Sequence, residues 1–161
     1  MSRVRAGEGT AGAGAAVLLV ALFLPWFGVD VLVGDATSSG WDALGWVTIV
    51  LALGAIGCAA WLAIATAVGR PIAQQVAAGV LTAAVGTIAF AVVALRTLVF
   101  QPGPNELVGM RYGAWLGLAA ALALAVGGWW SMKDERKDAP ESAYTPPEPR
   151  PAPPPRLSRD P

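Results

Sequence analysis

The side chains that could do chemistry in this 161-residue chain are few, and their types exclude more than they offer. There is no His and a single Cys, Cys58. That removes a His/Cys metal cluster, a disulfide framework, a Cys–His pair and a Ser-His-Asp triad. The Gly-rich start (Gly7, Gly9, Gly12, Gly14) lacks the Gly-Lys-Ser/Thr ending of a phosphate loop. What is left is a set of charges: Arg96 and Arg111, with Asp30, Asp42 and Glu106 as candidate acids. Their chemistry is that of an ion pair at a membrane interface, or of an arginine that anchors a helix at the headgroups. No catalytic, cofactor-binding or metal-binding residue is expected, and no cofactor.

The elements that must position these charges follow from composition. Of the residues, 55% are hydrophobic and 14% charged, with 11 basic against 11 acidic and a mean hydropathy of +0.56. A soluble domain carries roughly a quarter charged residues. Neutrality also removes the basic excess of a nucleic-acid binder, so no nucleic-acid partner is expected. The expected class is an all-α membrane protein: four transmembrane helices in a bundle, short loops, and a disordered proline-rich C-terminal tail. A spanning helix needs about 20 apolar residues, and four segments supply them, at about 11–29, 44–68, 76–95 and 113–132. Residues 1–10 form a short N-terminal segment, 11–132 the bundle and 133–161 the tail.

Arg3 and Arg5 before an apolar stretch resemble a signal peptide, but Pro25, Trp26 and Phe27 stand where a cleavage site needs small residues. The segment reads as an uncleaved anchor, and Pro25 predicts a kink or an early helix end. Arg3, Arg5, Arg70, Lys133, Arg136 and Lys137 fall on one side of the spans, Arg96 and Arg111 on the other. By the positive-inside rule both termini are cytoplasmic, in a multi-pass protein of the bacterial inner membrane. Trp26, Phe27, Trp41, Trp46, Tyr112 and Trp115 are expected at the outer interface, Trp129 and Trp130 at the inner one. Gly69 and Pro71 should turn the second span into the third as an antiparallel hairpin.

No ionisable residue lies within the four spans as bounded, which argues against a self-sufficient proton-coupled transporter. Thr48, Thr66, Thr82 and Thr87 can bond back to their own helix carbonyls. Small residues recur every fourth position at Gly113, Gly117, Ala121 and Ala125, at Gly79, Ala83 and Thr87, and at Gly54 and Cys58. Such ridges let helices approach closely, inside the bundle or against a partner. Nine of the last 22 residues are proline, a composition that cannot bury a core. Pro151, Pro154 and Arg156 match the spacing that aromatic-lined grooves read.

The order of these features resembles a group of small, uncharacterised four-span membrane proteins of the actinobacterial type. The resemblance rests on Leu24-Pro25-Trp26-Phe27, Gly40-Trp41-Asp42-Ala43, Pro102-Gly103-Pro104-Asn105 and Arg111-Tyr112-Gly113-Ala114-Trp115-Leu116-Gly117-Leu118. It covers residues 15–132 and implies a bacterial inner-membrane protein; it brings no activity or ligand. The expected function is therefore non-enzymatic, an accessory or structural partner in the membrane. The alternatives are a transport or channel component active as an oligomer, and an envelope sensor that signals through its tail. The expected partners are the lipid bilayer, a homo-oligomer or another membrane protein, and a cytoplasmic protein at the tail.

Overall fold

The structure, a computed structural model, describes residues 6–31, 34–100 and 108–138. It is mostly helical: α1 (Ala6–Ala21), a one-turn α2 (Gly40–Ala43), α3 (Gly45–Val68), α4 (Ile72–Leu98) and α5 (Tyr112–Asp138). Three of these hold segments long and apolar enough to cross a membrane, at Gly45–Val68, Ala73–Leu98 and Tyr112–Lys133; Ala6–Ala21 is apolar but shorter.

The helix boundaries have local causes. Gly69 adopts a left-handed conformation (φ 73°) that closes α3, a position suited to a residue without Cβ. Pro71 then stands at the N-cap of α4, and the two helices fold back as the expected hairpin. Gly45, at φ 72°, likewise admits the break between α2 and α3. The first helix departs from its expected 11–29 range. It begins at Ala6 and stops at Ala21, because the chain approaching Pro25 cannot continue a helix.

The expectation of short connecting loops around an all-α bundle also needs correction. Pro25–Val31 (β1), Gly34–Ser39 (β2) and Val108–Met110 (β3) form a three-stranded antiparallel sheet in the order β2-β1-β3. Phe27 pairs with Ser38 on one side and Met110 on the other, and Val29 with Ala36 and Val108. A register shift between Pro25 and Phe27 bends the start of β1. Two segments expected as loops, each too polar or too short to fold alone, complete a sheet by pairing on opposite edges of β1.

The core divides in two along the bundle. One cluster gathers Ala11, Ala15, Leu18, Ala52, Ala55, Leu62, Ala121 and Leu124 between the helices. The other gathers Leu22, Trp26, Phe27, Leu44, Val93 and Ala114 beneath the sheet.

Candidate functional site

Trp26 and Phe27, expected at an interface, are instead 0% and 1% exposed. The indole N–H of Trp26 donates to the Ala21 carbonyl at 2.7 Å, a last-turn acceptor of α1 that also receives the Leu24 N–H at 3.0 Å. Its ring occupies a cradle of glycines. A Cβ on Gly40 would stand 2.7 Å from the indole nitrogen and 3.0 Å from the Leu22 backbone. A Cβ on Gly117 would collide with the ring, and one on Gly113 with the Pro25 carbonyl. The ridge at Gly113 and Gly117 thus receives the Pro25–Trp26 corner, while Ala121, farther down α5, belongs to the helix-packed cluster.

Of the expected charges, Arg96 and Asp42 each bond to a group within four residues along the chain. Arg96 donates through Nη1 to the Phe100 carbonyl at 3.1 Å. The Asp42 carboxylate accepts from Ser39 Oγ at 2.7 Å. Arg111 lies across β1, its guanidinium occupying the space that a Cβ on Gly28 would need, with Nε 2.6 Å from that position. Its backbone N–H donates to the Trp26 carbonyl at 2.8 Å, which ties the start of α5 to the sheet. Asp30 is placed within β1, paired with Asp35. Glu106, Pro151, Pro154 and Arg156 lie outside the described residues.

Helix packing is closest where the sequence reading gave no weight. A Cβ on Gly7 would stand 2.5 Å from the Ser131 nitrogen, and one on Gly14 would stand 2.6 Å from that of Leu124. A Cβ on Gly127 would collide with the Ala11 backbone. Here α1 and α5 touch backbone to backbone. On α4, Ala83 is buried and faces Gly128, whose Cβ would stand 2.7 Å from the Ala83 nitrogen; Gly86 faces Leu124 and Ala125. Gly79 is also buried on α4. The missed signal is a run at Gly7, Ala11, Gly14 and Leu18, spaced four, three and four, which is a helix-packing period.

The first helix also brings in a carboxylate. Because α1 begins at Ala6, Glu8 sits in its first turn at 5% exposure, a buried carboxylate that the expected range starting at residue 11 leaves out. The Gly7–Ser131 contact sets Glu8 at the level of the last turns of α5. Ser131 is 2% exposed and its hydroxyl has no hydrogen-bond partner. Of the threonines expected to bond to their own helices, Thr66 donates to Leu62 and Ala63, Thr82 to Ala78 and Thr87 to Ala83, whereas the buried Thr97 hydroxyl has no partner. Thr87 in addition accepts from the Trp129 indole at 3.0 Å.

The fold and this geometry define a helical bundle of membrane-compatible apolarity, closed at one end by a small sheet. No family model, curated protein or solved structure matches the chain. Among the described residues no group of His, Cys, Asp and Glu is arranged to hold a metal ion.

Proposed function

We propose that this chain is a non-enzymatic integral membrane protein that acts by lateral packing, as an accessory or structural partner in a bacterial cytoplasmic membrane. In this reading α1, α3, α4 and α5 all cross the bilayer and both termini are cytoplasmic. The sheet then lies on the outer face. At about 1.5 Å per residue, α1 is about 24 Å long against a hydrocarbon core of about 30 Å. Local thinning of the bilayer accommodates such a short helix at modest cost.

The observation that carries the reading is the uneven use of the helices. The glycine ridges of α1 and α5 are consumed inside the bundle, and half of the α5 span is buried, against 28% of the α3 span. The outward face of α3 presents Trp46, Val50, Leu53, Gly57 and Ile64, and nothing stands within 4 Å of a Cβ on Gly57. A partner helix would approach most closely there. Crosslinking in the native membrane tests this, using Gly57→Cys in a Cys58→Ala background. A discrete adduct with a second copy or with one other membrane protein is expected; a monomer throughout, also after mild-detergent extraction, refutes lateral packing. Reporters fused at residues 36 and 140 should lie on opposite sides, and same-side results refute the four-span topology.

One observation favours a second reading, a transport component. Glu8 is a buried carboxylate beside a helix that holds the unpartnered Ser131 hydroxyl, and ionisable groups within membrane bundles mark ion pathways by default. Cation flux into proteoliposomes that Glu8→Gln abolishes would establish it. Equal flux with and without the protein would end it.

A further inference from the structure

We draw no further inference here: the strongest candidate, the open trough between α1 and α5 walled by Gly9, Ala13, Val17, Leu116 and Ala123, is a surface of small and apolar side chains, and nothing in the structure shows what covers it.

Discussion

The two ends of the bundle are held by opposite means. At the sheet end a single large side chain, Trp26, is fully buried in space that Gly40 and Gly117 leave open. At the Lys133 end the contact consists of what is missing: Gly7 and Gly127 let α1 and α5 meet backbone to backbone. Glycine serves both ends, once as a socket for a ring and once as a bearing between two helices. The sheet end should therefore fail when something is removed and the Lys133 end when something is added.

The largest expected effect is at the sheet end. Trp26→Ala deletes the largest fully buried side chain and the donor to the Ala21 carbonyl. Truncating a buried Trp costs about 3–5 kcal/mol, to be read as a lowered unfolding midpoint in detergent. Because the ring also seats the start of β1 against Gly117 of α5, proteolysis within 34–39 should accelerate in the same variant. If Trp26→Ala costs no more than a surface change, the ring is not what joins the sheet to the helices.

At the Lys133 end the reverse manipulation applies. Gly127→Val drives a branched side chain into the Ala11 backbone, and overpacking of this kind costs about 1–3 kcal/mol. The control is Gly9→Ala on the same pair of helices, where nothing stands within 4 Å. That change should be neutral or stabilise by up to about 1 kcal/mol, the helix propensity difference. Equal effects of the two changes would mean that the close approach of Gly127 to the Ala11 backbone matters no more than the open site at Gly9, and the contrast between the two ends would collapse.

How much of this was legible in the sequence depended on range. Apolar length set the helices at 44–68, 76–95 and 113–132 close to α3, α4 and α5, and Gly69 with Pro71 set the turn between α3 and α4, because both signals are local. The sheet was not legible, since β1 pairs with β3 across most of the chain and β3 is three residues long. Trp26 was misplaced for a related reason. An aromatic beside a proline at a span end has the sequence of an interface anchor, and only Gly40 and Gly117, distant in sequence, reveal a socket. A first helix placed at 11–29 leaves Gly7 and Glu8 outside it, and without Gly7 the packing period through Ala11, Gly14 and Leu18 is too short to stand out. Of the candidate charges, Arg96 reads in sequence as a headgroup anchor or as the partner of Asp30, Asp42 or Glu106; in the structure Arg96 and Asp42 each bond within four residues along the chain. Pairing them across helices would have required knowing the loop conformation.

The smallest expected effect separates the socket from its surroundings. Arg96 stands at the sheet end of α4 but outside the Trp26 cradle, half-buried, with its Nη1 on the carbonyl of Phe100 four residues along the chain. A bond so local constrains only the last turn of its own helix, and Val99 and Phe100 already close that turn through their N–H groups onto the Leu95 carbonyl. Arg96→Gln keeps a donor of similar reach and removes the charge. The unfolding midpoint should move by less than about 0.5 kcal/mol, the range of a surface substitution, and sheet-end proteolysis should be unchanged. A cost approaching that of Trp26→Ala would show the guanidinium holding an acid from another element, with Asp30 and Glu106 in reach by sequence. The sheet end would then be closed by charge as well as by a ring, and the two ends would differ in degree rather than in kind.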